Sequence, residues 1–166
     1  MTAATGFELE RGFRRPLPRA LARWPVFRIA HTSAALDALV EAALEPAGLD
    51  RRSFAALVVL ADLGPLKQSA LAQRLGVDRT TIVSIARLLS EEGLIRRSPS
   101  VLDGRALDLA LRPPGAAALE QARVAAQSAH VTFLRPLARP ERLTFARHLE
   151  ELEPLERSFW RDFLLG

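Results

Sequence analysis

Apolar positions along this chain recur at helical spacing in most segments and alternate in only one. From Pro25, which suits the first turn of a helix, the residues Phe27, Ala30, Ala34, Val40 and Leu44 follow near that spacing until Pro46 and Gly48 stop the run. A second helix is predicted over residues 51–63, closed by Gly64 and Pro65. Its run from Ala55 to Leu60 is apolar nearly all round, which places it at the centre of the fold. Two short helices follow, over residues 67–75 and 79–92, with Gly76, Val77 and Asp78 between them and Asp78 placed to cap the second. Gly93 ends that helix. A ribbon comes next: residues 94–97 run outward, and residues 106–111 return with Leu107, Leu109 and Leu111 on one face. The tip between them holds Pro99, Asp103 and Gly104. An alanine-rich helix is predicted over residues 114–137, and another after Pro140 to about residue 153. Pro154 then precedes an apolar tail of Leu155, Phe159, Trp160 and Phe163. Ahead of all this, Pro16 and Pro18 disfavour helix, so residues 1–23 read as an extended or poorly ordered arm.

The order helix, tight turn, helix, ribbon is that of a winged helix-turn-helix. Its small core requires Leu71 and Leu75 to meet Ile82, Ile85 and Leu89, with Gly76 letting the chain turn between the two helices. The opposite face of the second short helix then carries Arg79, Thr80, Thr81, Ser84 and Arg87. Arginines and short hydroxyls at the N-terminal half of a helix suit the major groove, where they reach base edges and phosphates. The plainer alternative is that these hydroxyls only solvate a surface helix.

Composition narrows the function classes. A chain of 166 residues makes one ordinary domain. It has no cysteine, which excludes disulfides, thiolate metal sites, cysteine nucleophiles and thiol redox sensing. The longest apolar run, near residues 53–61, is far short of the roughly 20 residues a membrane span needs. Charges interrupt the first residues, so no signal peptide is expected, and the expected compartment is the cytoplasm. Of 23 basic residues, 22 are arginine, a bias that a GC-rich genome also produces. Their distribution is more informative: the balance is +4 over residues 1–28, −3 over 29–65, +3 over 66–112 and zero thereafter. Positive charge therefore gathers in the arm and in the segment carrying the helix-turn-helix, a modest clustering that permits nucleic-acid binding without establishing it.

The stretch LAQRLGVDRTTIVSIARLLSEEGLIRRSPSVLDGRALDLALRPPG, from Leu71 to Gly115, strongly resembles the MarR family of bacterial transcriptional regulators. The likeness extends more weakly over about residues 25–155 and leaves the arm uncovered. Its most specific feature is Asp-x-Arg at the ribbon tip, matched by Asp103 and Arg105. The resemblance implies that Asp103 orients Arg105 and that Arg105 enters the minor groove. A salt bridge pinning the hairpin is the simpler role for the pair. Two positions depart from the family pattern. Gly104 stands where many relatives have a second arginine, and Arg112 stands where a capping threonine usually precedes the Pro-x-Gly helix start.

The resemblance also implies a homodimer built from the terminal helices, presenting two recognition helices to a palindrome in double-stranded DNA. The expected division is an arm over residues 1–24, an N-terminal dimerisation helix over 25–48, a winged helix over 49–112 and C-terminal dimerisation helices over 113–166. The fold class is thus mainly α with a small β-wing. Many relatives respond to small aromatic or phenolic anions. Here Trp24, Phe27, Arg28, His31 and Phe54 are the candidate pocket, with Arg28 pairing a carboxylate and the rings covering an aromatic ligand. The alternative assigns Phe27 and Phe54 to the core and leaves Arg28 and His31 solvated. His31, His130 and His148 lack zinc-site spacing, and no cofactor is expected. No glycine-rich phosphate loop, H-E-x-x-H or G-x-S-x-G is present, so an enzyme is not expected. The remaining rival is a winged helix that binds protein, against which the polar face of the second short helix argues. The arm is left open between DNA clamp, dimer packing and disorder.

Overall fold

A computed structural model describes residues 16–100 and 106–152. It comprises helix α1 (Pro25–Leu44), a 3-10 turn (Glu45–Ala47), helix α2 (Arg51–Leu63), strand β1 (Leu66–Lys67) and helices α3 (Gln68–Leu75) and α4 (Arg79–Glu91). Strands β2 (Ile95–Pro99) and β3 (Leu107–Leu111) and helices α5 (Pro113–Phe133) and α6 (Arg139–Leu152) complete it. The expected class, mainly helical with a small β-wing, is the observed one. The described residues form two compact units, divided between His130 and Val131.

In the first unit α2 lies at the centre, as its apolar run dictates: Ala56, Leu57 and Leu60 are buried. Asp50 caps it by accepting the Ser53 amide at 2.6 Å. Two contacts tie its first turn to α1, the Arg51 amide donating to Glu41 Oε2 at 2.9 Å and the Arg51 guanidinium meeting Asp37 at 3.1 Å. The core adds Val40 and Leu44 from α1, Leu71 from α3, and Ile82, Ile85, Ala86 and Leu89 from α4. Ile95 and Leu109 enter it from the sheet, and Leu119, Ala122, Ala126 and Ala129 enter it from one face of α5.

The sheet has three antiparallel strands in the order β1-β3-β2, with Leu66 opposite Leu109 and Ile95 opposite Leu111. Strand β1 occupies residues that the sequence pattern assigned to the loop and start of the first short helix. Its conformation comes from pairing with β3, about forty residues on, and a two-residue strand has no period of its own to detect. The long helix ends at Phe133 instead of near residue 137, in turns where the Arg135 amide bonds Thr132 O and the Leu137 amide bonds Leu134 O. Arg112, which lacks a capping hydroxyl, offers its carbonyl to the Ala116 amide at 2.9 Å and donates its own amide to Leu94 O at 3.0 Å. Gly115 is required there: a Cβ on it would stand 2.1 Å from Leu94 O, so only glycine allows α5 to start this close to β2.

In the second unit, no described residue of α6 is buried. Leu143, Phe145, Leu149 and Leu152 are exposed along it. The tail with Leu155, Phe159, Trp160 and Phe163, and the first fifteen residues of the arm, lie outside the described residues.

Candidate nucleic-acid interface

The site is built on α4. Gly76, with φ 62°, turns the chain out of α3, and the Val77 amide bonds back to Ala72 O at 3.1 Å. Asp78 then starts α4 in extended conformation. Its Oδ1 accepts the Thr81 amide at 2.8 Å and its Oδ2 accepts the Thr81 hydroxyl at 2.9 Å. Those bonds, the amide first and the hydroxyl second, hold the Asp78 carboxyl below the usual aspartate range. The buried residues Ile82, Ile85, Ala86 and Leu89 lie on one face and fix how the helix is rolled on the core.

Rolled this way, α4 presents Arg79, Thr80, Ser84 and Arg87 to solvent. The Ser84 hydroxyl donates to Thr80 O at 3.2 Å, and the Arg87 guanidinium pairs with Glu91 at 3.1 Å on the next turn. Both contacts are local and exposed, so they cost little to exchange for a ligand. Thr81 is different. It is half-buried, and its hydroxyl proton is committed to Asp78. Of the five residues expected to share the outward face, four do, and Thr81 serves the cap at its flank.

Beside α4 a cleft of about 500 Å³ opens toward the ribbon, lined by Gln68, Ser69, Arg79, Val83, Arg97 and Leu107 among others. Arg97 is a feature the sequence reading passed over. It stands opposite Leu109 on the face of the sheet that carries Ile95, so the alternation points an arginine toward the apolar side. Its Nε and the Gln68 Oε1 are buried without a hydrogen-bond partner. A second cleft, about 270 Å³, lies on the other flank between the start of α2 and Thr80, Thr81 and Ser84. Asp103 and Arg105, the expected wing-tip pair, and Gly104 lie outside the described residues.

The expected effector group divides. Trp24, Phe27, Arg28 and His31 are exposed near the start of α1 and share one side of it by their spacing. Phe54, on α2, is half-buried against the core instead. Neither of the two clefts beside α4 takes a wall from any of these five residues. Among the described residues there is no group of acids and histidines able to hold a metal, and no helix long and apolar enough to cross a membrane.

Comparison with known proteins fits this geometry. Residues 47–106, spanning α2 through the outgoing ribbon strand, match the model of the MarR family. A helix-turn-helix transcriptional repressor of Mycobacterium tuberculosis is 32% identical over 113 residues, which cover 68% of this chain and 81% of the repressor. A probable transcriptional regulator from Pseudomonas aeruginosa superposes with a TM-score of 0.73 at 32% identity, covering 80% of this chain and 98% of its own. A MarR family protein of Mycobacterium tuberculosis, crystallised in complex with p-aminosalicylic acid, superposes with a TM-score of 0.65 at 28% identity, covering 78% and 98%. On sequence and fold together, the chain belongs to the MarR family of transcriptional regulators.

Proposed function

We propose that the protein is a homodimeric, sequence-specific DNA-binding repressor that reads a palindromic operator through α4 and the wing. The observation that carries this is the outward face of α4. Its far side is locked into the core by Ile82, Ile85, Ala86 and Leu89, while Arg79, Thr80, Ser84 and Arg87 are exposed together, tied only by contacts within the helix. Arginines supply phosphate and guanine contacts, and the hydroxyls reach bases or backbone. Asp103 and Arg105 serve as the minor-groove element by family resemblance. In this reading residues 49–112 are the DNA-binding part, 25–48 and 113–166 are the dimerisation helices, and the arm 1–24 precedes them. A two-fold dimer sets its half-sites about 10 bp apart. Apolar side chains exposed on α1 and α6 support dimerisation, because water contact leaves their burial energy unused.

The reading extends to release by a small aromatic acid. Trp24, Phe27, Arg28 and His31 offer ring faces and one cation, and the complex of the mycobacterial relative with p-aminosalicylic acid supports that ligand class. Phe54, half-buried against the core on α2, is the fifth residue of the proposed pocket.

Fluorescence anisotropy tests the reading, using a duplex from the DNA just upstream of the gene, a scrambled duplex and a salt series. Specific binding should saturate at one dimer per duplex and weaken steeply with salt. Arg105→Ala should weaken binding on every sequence, and Ser84→Ala should change base preference. Equal, weak binding to both duplexes leaves a distant operator or a winged helix that binds protein, and failure to select any duplex from a random pool then overturns the proposal in favour of the second. Added p-aminosalicylate should release the duplex from the native protein and not from Arg28→Ala.

A further inference from the structure

The outward face of α4 is not uniformly polar. Two rows run along it at one-turn spacing, Arg79, Val83 and Arg87 in one and Thr80, Ser84 and Leu88 beside it. Val83 is 39% exposed, while Ile82 just before it is 1% exposed and belongs to the core. The four buried side chains of α4 already form a complete anchor, so packing has no need of Val83. Helix propensity does not call for it either, since a β-branched side chain is a weaker helix former than the alternatives a surface position allows. An apolar side chain thus keeps over a third of its surface in water in the second turn, at the wall of the cleft beside the ribbon, with arginines one turn away on either side.

The major groove presents hydrogen-bonding groups at every base pair and one apolar group, the 5-methyl of thymine, which an apolar side chain recognises by contact. Val83 has no donor or acceptor beyond its backbone, so a methyl is the base-edge feature it can read. Its neighbours can engage phosphates, guanines and other hydrogen-bonding edges on both sides of that contact. We infer that Val83 is a specificity-determining residue that reads the 5-methyl group of a thymine in each half-site. This rests on the DNA-binding reading above and deepens it.

The test uses full-length protein and a duplex selected by it from a random pool, with each thymine replaced singly by deoxyuridine, which removes the methyl group alone. Burial of one methyl predicts a loss of about fourfold at one thymine per half-site, and of about fifteenfold when both half-sites are changed. Val83→Ala keeps only its β-carbon near the base, so it should lose affinity on the thymine duplex and lose most of its sensitivity to uracil there. Val83→Thr keeps one methyl and should remain sensitive. The thermal midpoint of Val83→Ala should match that of the native protein, separating base reading from folding. A duplex bound specifically, yet equally well in all its uracil forms, overturns this inference and leaves DNA binding standing. Undiminished methyl sensitivity in Val83→Ala also overturns it, by assigning the contact to another side chain. Failure to select any duplex over scrambled DNA overturns both readings.

Discussion

Helices α1 and α4 are both exposed along much of their length, and they expose opposite chemistry. On α4 the buried face is complete, with Leu89 fully excluded from solvent, and the exposed face is mostly arginine and hydroxyl. On α1 every residue from 25 to 34 is exposed, and Val26 at 64%, Phe27 at 43% and Ile29 at 64% are among them. Their N-termini differ in the same sense. Asp78 closes the start of α4 with two hydrogen bonds, whereas Trp24 stands at the cap of α1 with no side-chain cap bond and is 63% exposed. The lesson is that exposure alone does not mark a functional surface. A polar face over a finished anchor is complete as a monomer and ready for a polar partner. A helix end that is apolar on several sides is complete only when something apolar covers it.

The comparison breaks most visibly at the anchor. Leu89→Ala removes a fully buried side chain, and such truncations cost about 2–5 kcal/mol, a large share of a typical domain's stability. Urea unfolding should show that loss at every protein concentration. Ile29→Ala, by contrast, changes an exposed residue and should fall within about 0.5 kcal/mol when measured on dilute chains. Comparable losses from both variants would mean that α1 is packed as firmly as α4, and the contrast would fail.

At Trp24 the two possible roles of an exposed apolar residue have opposite signs. Trp24→Asp puts a good capping residue where none exists, which should stabilise α1 by about 1 kcal/mol in the isolated chain. If the ring is covered by a second copy, the same change buries a charge and should weaken association by about 2 kcal/mol or more, near thirtyfold in the dissociation constant. Sedimentation equilibrium together with unfolding at two concentrations reads both effects. The expected result is a weaker dimer of sturdier chains. An unchanged dimer would leave the ring merely solvated and place Trp24 outside the interface.

How far the sequence discloses this arrangement depends on the range of the interaction responsible. Helices α2 and α4 follow from apolar periodicity and nearby caps, all within a few residues, and they lie where the pattern predicts. Strand β1 depends on Leu109 and Asp108, far along the chain, and no local signal announces it. On the outward face, Arg79, Thr80, Ser84 and Arg87 follow from helix geometry alone. The commitment of Thr81 to Asp78 depends on the cap rotamer, and the exposure of Val83 depends on how far α4 is rolled on its core. Gly115 is legible as part of a helix start, but its necessity comes from the Leu94 carbonyl across the chain. The proposed effector wall is the least legible, because spacing places four of its residues on one side of α1 without supplying an opposite wall.

The smallest expected effect concerns the cap that distinguishes α4 from α1. Asp78 is exposed, so solvent screens its charge, yet its hydrogen bonds from Thr81 favour the ionised form and lower its folded-state value. A group whose folded value is depressed contributes its full stabilisation above the unfolded value, near pH 4, and loses it as pH falls through the folded value. Asp78→Asn keeps a capping oxygen and a similar preference for the cap, but it cannot titrate in that range. At neutral pH the variant should therefore keep α4 formed and lose only the charge at the positive end of the helix dipole. Between about pH 5 and pH 2 the native protein should converge on the variant in exchange protection of the Thr81 and Ile82 amides. Equal pH dependence in both proteins would show that the Thr81 bonds do not favour ionisation of Asp78. The start of α4 would then be held by its buried face, leaving α1 and α4 to differ only in what they bury.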